Sequence, residues 1–228
     1  MARRWVMGDI HGAYRALRQV LERANFDYNN DTLICLGDVC DGWPDTHLCI
    51  EELLRVRHLL FLLGNHDFHT LQWAETGWAD EDWLNQGGAA TQLAYPHQMP
   101  PAHVTFLKEA KRYWLEDNRL FVHAGIWPGR QPEACGLNIL LWDRTLVQQA
   151  LHLHRVGQPA QLTSFDEVFV GHTPIGPKPL KGAEVWMMDT GAGWDGVLSM
   201  MDLDSYEVVA SDPVPLLYPG VQGRQRQR

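Results

Sequence analysis

The chain has 228 residues, 45% hydrophobic and 21% charged, a composition that excludes disordered and fibrous classes and fits one folded domain. Its formal net charge of −9 argues against nucleic acid or an anionic membrane as a partner, which want a basic face, and leaves room for bound cations. No apolar run reaches the roughly 18–20 residues of a membrane span, and Trp5-Val6-Met7 meets Gly8-Asp9 without an apolar signal core, so a cytoplasmic location is expected.

Arg4–Met7 reads as a short buried strand that stops at Gly8-Asp9. Ala13, Leu17, Val20, Leu21 and Ala24 recur at helical spacing and predict a helix over Ala13–Ala24. Asp31–Leu36 is a second strand, ending at Gly37-Asp38, and Pro44 opens a helix to about Arg57 with Ile50, Leu53 and Leu54 on its apolar side. His58–Leu63 is a third strand, ending at Gly64-Asn65-His66-Asp67. Two successive strand–helix–strand crossovers imply a parallel sheet buried on both faces. Helices are then expected at Asp80–Tyr95, interrupted by Gly87-Gly88, at Pro101–Lys111 and at Asn138–His154. Strands are expected at Tyr113–Leu115, Leu120–Val122, Glu167–Val170, Val185–Met188, Val197–Met201 and Glu207–Ala210. Closely spaced late strands after an early crossover region predict an α/β fold with a mixed sheet or two packed sheets. The domain is expected to span 1–212. Residues 213–228, with Pro215, Pro219 and a Gly-Arg-Gln end, read as a flexible tail outside the catalytic region. Cys35, Cys40, Cys49 and Cys135 form no CxxC pair and are expected to be reduced thiols.

The chemistry collects just past the strands. Asp9 and His11 follow the first, Asp38 and Asp41 the second, and Asn65, His66 and Asp67 the third. His123 and His172 follow two of the later strands. Carboxyl ends of neighbouring parallel strands face one crevice, so these residues are expected to converge there. Carboxylate, neutral imidazole and amide oxygen together suit manganese, iron or zinc better than calcium, which prefers oxygen alone.

Gly8-Asp9-Ile10-His11-Gly12, Gly37-Asp38-Val39-Cys40-Asp41-Gly42, Gly64-Asn65-His66-Asp67, His123-Ala124-Gly125 and Gly171-His172-Thr173 resemble the ordered motifs of the phosphoprotein-phosphatase branch of the metallophosphoesterases. Trp83-Leu84-Asn85-Gln86-Gly87-Gly88-Ala89-Ala90-Thr91, Leu141-Trp142-Asp143-Arg144 and Asp189-Thr190-Gly191 look like the bacterial and phage members. The resemblance implies a calcineurin-like sandwich of two mixed sheets flanked by helices, with a site for two divalent metal ions at one edge, manganese before iron or zinc. By position, Asp9, His11 and Asp38 would hold the first metal. Asp38 would bridge to the second, completed by Asn65, His123 and His172. His66 falls at the general acid, Asp41 at the carboxylate that orients it, and Arg144 at a phosphate-binding arginine.

One position departs from the pattern. The family usually follows Asp-x-x-Asp with Arg-Gly, whose arginine grips phosphate, whereas Asp41 is followed by Gly42-Trp43-Pro44. The grip then falls to Arg144 or to another arginine such as Arg130, or else the substrate differs. The function implied is hydrolysis of phosphate monoesters, above all phosphoserine and phosphothreonine in proteins. Two alternatives stand beside it. A dinucleoside polyphosphate hydrolase would share most of the motifs but usually lacks the carboxylate of Asp41. A silent binding scaffold would have lost metal ligands, which are all present here.

Overall fold

The computed structural model describes residues 2–224. Among them, ten strands form two five-stranded sheets. The first runs β10-β9-β1-β2-β3, from β1 (Arg4–Met7), β2 (Thr32–Cys35), β3 (His58–Phe61), β9 (Ser199–Asp202) and β10 (Val208–Ala210). β1, β2 and β3 are parallel, with Val6 opposite Ile34 and Ile34 opposite Leu60, while β9 lies antiparallel to β1. Helices α1 (Tyr14–Arg23) and α2 (Thr46–Leu54) make the two crossovers expected from the sequence.

The second sheet runs β4-β5-β6-β8-β7, from β4 (Tyr113–Glu116), β5 (Arg119–Val122), β6 (Glu167–Val170), β7 (Leu180–Gly182) and β8 (Val185–Met187). Period-two alternation sorts each strand between two cores. Val6, Ile34, Phe121 and Phe169 meet between the sheets, with the Phe121 and Phe169 rings stacked at 4.9 Å. Trp5, Met7, Leu33 and Cys35 face the outer helices on one side. Leu120, Val122, Val168 and Val170 pack on the other side against α7 (Leu137–Trp142) and α8 (Thr145–Val156). The layers are helix, sheet, sheet, helix. The remaining helices are α3 (Asn65–Thr76), α4 (Glu81–Trp83), α5 (Ala89–Ala94), α6 (Pro101–Lys108) and α9 (Val214–Leu217). All four cysteines are free and buried.

Several elements differ from expectation for local reasons. The helix expected over Asn138–His154 is two, because the Asp143 side chain accepts the Thr145 N–H at 2.8 Å and starts α8 afresh. Arg144 stands at that break, not within a helix. Helix α3 begins inside the Gly64-Asn65-His66-Asp67 motif, where ligand-type residues hide the helical pattern. Past Pro213 the chain is held against the domain. Val214 is fully buried, and Tyr218 stacks on Trp43 at 5.0 Å and donates its hydroxyl to Asp45 at 2.8 Å. The flexible tail expected from Pro and Gly content therefore does not begin at 213, and the part from 225 to 228 lies outside the described residues. No described helix is long and apolar enough to cross a membrane.

Candidate metal centre

The loops after β1, β2, β3, β5 and β6 meet at one edge of the sandwich, where Asp38, Asn65, His66 and His172 line a cavity of about 480 Å³. The chain turns sharply there. His11 (φ 52°), Asp38 (φ 53°), Asp41 (φ 70°) and His172 (φ 62°) all take the left-handed conformation uncommon for residues with a β-carbon. Such backbone persists only where surroundings over-determine it, and here it aims side chains into the crevice. The neighbouring glycines are needed for close approach. A β-carbon on Gly64 would overlap the Asp38 carboxylate, and one on Gly171 would overlap that of Asp9.

Ligand-type atoms collect around Asp38. His123 Nε2 lies 3.4 Å and His11 Nε2 3.7 Å from Asp38 Oδ2, and Asp9 Oδ2 is 3.9 Å from the same His11 nitrogen. Asn65 Oδ1 is 3.0 Å from His123 Nε2 and 2.9 Å from His172 Nδ1. The distances from His123 and His11 resemble the edges of a coordination polyhedron, since ligands roughly 2.0–2.2 Å from a metal stand about 3–3.5 Å apart. Two overlapping groups share Asp38: His11, Asp38 and His66 in one, and Asp38, His123 and His172 in the other. Asp9 lies beside the first and Asn65 within the second.

The hydrogen bonds outside the crevice settle which lone pairs face inward. Nδ1 of His11 meets the Cys40 carbonyl at 3.0 Å and Nδ1 of His123 meets the Leu36 carbonyl at 2.7 Å. Nε2 of His172 meets the Trp142 carbonyl at 3.2 Å. A carbonyl can only accept, so each of these nitrogens carries the proton, and the other nitrogen points its lone pair at the carboxylates and the Asn65 oxygen. A cluster of buried acceptors facing one another is unfavourable unless a cation lies among them. The donor set therefore fits divalent metal ions.

Electrostatics agree. Burial, with Asp189 and Asp38 nearby, pushes the Asp9 carboxyl well above its ordinary range. Burial also raises Asp189, to about 6. Burial would raise Asp38 too, but the imidazoles of His123 and His66 outweigh it and hold Asp38 well below its ordinary value. Burial lowers His172 to about 3 and, with Arg224, holds His11 well below its ordinary value, leaving both neutral. His123 goes the other way: Asp38 overcomes burial and raises it to about 10, so its inward nitrogen draws a positive charge, a proton or a metal ion, toward the carboxylates.

Asp41 and His66 form a second device. His66 Nδ1 lies 2.7 Å from Asp41 Oδ2. Asp41 is fully buried and also accepts from Trp83 Nε1 at 2.7 Å, Thr91 Oγ1 at 2.7 Å and Thr70 Oγ1 at 3.3 Å. This explains the spacing of Trp83 and Thr91. Leu84–Gly88 forms a wide turn broken at Gly87 (φ 116°) that brings both donors to one carboxylate. Gly88 packs against the Trp83 indole, where a β-carbon would overlap the ring.

Asp67 lies among the motif residues but takes a structural role. Its carboxylate accepts the backbone N–H groups of Asp38, Val39, Cys40 and Gly64 at 2.7–3.2 Å, pinning the loop after β2 to the start of α3. Asn at this position puts a donor amide against donors. Asp67→Asn is therefore expected to lose about 2–4 kcal/mol of stability, read as a lower denaturant midpoint at unchanged slope.

Arg144 lines the cavity, while Arg130 is exposed and outside it. Gly42 has φ 98°, so an arginine at that position would be strained. Trp43 is buried, with its Nε1 donating to the Ala192 carbonyl at 2.7 Å, and offers no stacking face to a substrate. The sequence reading missed Gln86, Asp189, Trp194 and Arg224 on the cavity wall. The Trp83–Thr91 motif contains Gln86 and the Asp189-Thr190-Gly191 motif contains Asp189, whereas no motif flagged Trp194 or Arg224.

Residues 2–176 match the family model for calcineurin-like phosphoesterases. The chain is 38% identical over 208 residues to serine/threonine-protein phosphatase 2 of Escherichia coli K12, covering 86% of this chain and 90% of the relative. It is 28% identical over 206 residues to serine/threonine-protein phosphatase 1 of Salmonella typhimurium, covering 86% and 89%. A symmetrical bis(5'-nucleosyl)-tetraphosphatase of Proteus mirabilis is 45% identical, but over 71 residues, 29% of this chain and 25% of the relative. A metallophosphoesterase structure from Sphaerobacter thermophilus shares the fold with a TM-score of 0.58 at 16% identity, covering 92% of this chain and 87% of that one.

Proposed function

The chain belongs to the calcineurin-like phosphoesterases, a family of hydrolases with a dinuclear metal site, and from that premise we propose that it hydrolyses phosphate monoesters, above all phosphoserine and phosphothreonine in proteins. The observation that carries this reading is His66 on the cavity wall, backed by the buried Asp41. A serine or threonine alkoxide is a poor leaving group and needs a proton as it departs. A nucleotide leaving from a polyphosphate chain departs as a stable phosphate anion and needs little help. A histidine held by a carboxylate with three further donors suits the first case.

Asp9, His11 and Asp38 are assigned to one ion, and Asp38, Asn65, His123 and His172 to the other, with manganese favoured over iron or zinc. When bound, the pair neutralises phosphoryl charge and lowers the pKa of a water nucleophile. The chain's own groups do the rest. Asp41 fixes the His66 ring and carries the countercharge of the imidazolium, and His66 delivers its proton to the leaving oxygen. Arg144 offsets charge on the phosphoryl group from the mouth of the cavity.

Hydrolysis of dinucleoside polyphosphates is the second reading, favoured by the 45% identity to a tetraphosphatase segment and by the Trp142 and Trp194 indoles on the cavity wall. Manganese-loaded protein assayed side by side on a phosphoserine peptide, p-nitrophenyl phosphate and diadenosine tetraphosphate separates the two. The expected order puts the phosphopeptide first in kcat/KM. Diadenosine tetraphosphate ahead of both monoesters would transfer the assignment to the second reading.

A further inference from the structure

Arg224 sits where the sequence reading placed nothing. Its side chain reaches from the C-terminal segment into the cavity that also holds Asp38, His66 and Arg144. The guanidinium carbon lies 4.4 Å over the Trp194 ring, and Nη1 donates to His11 Nε2 at 3.2 Å. Nε is buried without a hydrogen-bond partner among the described residues. We propose that Arg224 is a phosphate-binding residue, which brings to the substrate the guanidinium that position 42 lacks. The proposal rests on the monoesterase reading above.

The space is shared out accordingly. A β-carbon on Gly42 would come within 3.2 Å of Arg224 Cγ, and one on Gly87 within 3.0 Å of it. The two glycines thus leave a channel that the stem of Arg224 fills, arriving beside the residue that follows Asp41. The segment that delivers it is anchored at several points. The Arg224 N–H donates to the Gly193 carbonyl at 3.1 Å, Gly223 packs against the Trp43 indole, and Tyr218 holds both Trp43 and Asp45. Trp43 and Gly42 are therefore parts of one arrangement: the indole seats the segment and the glycine admits its arginine.

Charge completes the argument. Asp38, Asp41, Asp189 and Asp9 all act on the guanidinium, which is otherwise disfavoured by burial. Metal ions on Asp9 and Asp38 would offset much of that attraction, and an ion on His11 would compete for the Nε2 lone pair that Nη1 meets. With that attraction offset, a buried guanidinium would favour an anion within its reach. A phosphate dianion supplies three oxygens for the released N–H donors, with Arg144 also on the cavity wall.

The test measures equilibrium binding of inorganic phosphate to manganese-loaded wild type, Arg224→Ala and Arg224→Lys, with manganese content and melting temperature recorded for each. Phosphate affinity is expected to fall at least tenfold in Arg224→Ala at unchanged manganese content, with KM for p-nitrophenyl phosphate rising in parallel, and Arg224→Lys should recover part of both. Unchanged phosphate affinity in Arg224→Ala would overturn the proposal. So would tighter manganese binding with no change toward phosphate, since the guanidinium would then be a competitor for the metal at His11. A wild type that binds phosphate but hydrolyses no monoester would count against the functional reading alone, because phosphate binding is measured without turnover.

Discussion

Turnover of a phosphoserine peptide is expected to fall by on the order of 10²–10⁴ in His66→Asn, while hydrolysis of p-nitrophenyl phosphate falls far less. The difference follows from the leaving groups. A serine alkoxide leaves as a strong base and depends on the proton from His66, whereas nitrophenolate leaves readily without it. The substitution keeps a side chain of similar reach and removes the titratable ring held 2.7 Å from Asp41. His66 also lies within the group formed with His11 and Asp38, so its geometry alone would allow a metal role. Manganese content separates the two roles: it should stay at the wild-type level. Equal losses on both substrates, or loss of metal, would remove the general-acid assignment.

A second large effect is expected at Asp38. It is the one residue common to both groups of ligand atoms, and its Oδ1 also accepts the His66 N–H at 2.9 Å. Asp38→Asn removes the charge around which both groups are arranged and should weaken both metals together, by more than the roughly 10–100-fold typical of losing an outer hydrogen bond to a ligand. His11→Gln should weaken chiefly one. Titration of manganese into each variant, followed by calorimetry, reads this directly. An Asp38→Asn protein that binds two manganese ions with wild-type affinity would contradict the shared-ligand arrangement.

Much of this site was legible in the sequence because strand ends announce themselves. Asp9, Asp38 and Asn65 each follow an apolar run and a glycine, and parallel strands bring such positions to one edge. His172 carries the same signature in the second sheet, and His123 follows its apolar run directly. What stayed hidden depends on contacts between distant segments. The helix over Asn65–Thr76 begins within ligand-type residues, so its first turn shows no apolar period. The donors that hold Asp41 come from Trp83 and Thr91, some 40 to 50 residues away, through a turn whose shape depends on Gly87. Arg224 lies in a stretch whose Pro and Gly content reads as a tail. Only its packing on Trp43 and Gly193 shows that it enters the site. Composition reports the average of a segment, whereas a single anchored residue such as Tyr218 decides whether the segment is held.

The central claim, that this chain releases phosphate from monoesters only with two metal ions in place, is tested most directly by adding manganese stepwise to chelator-stripped protein while recording phosphate release from a phosphoserine peptide. Stripped protein should be inactive, and activity should rise to a plateau at two equivalents per chain. Full activity in the stripped protein, or a plateau reached at one equivalent, would contradict it.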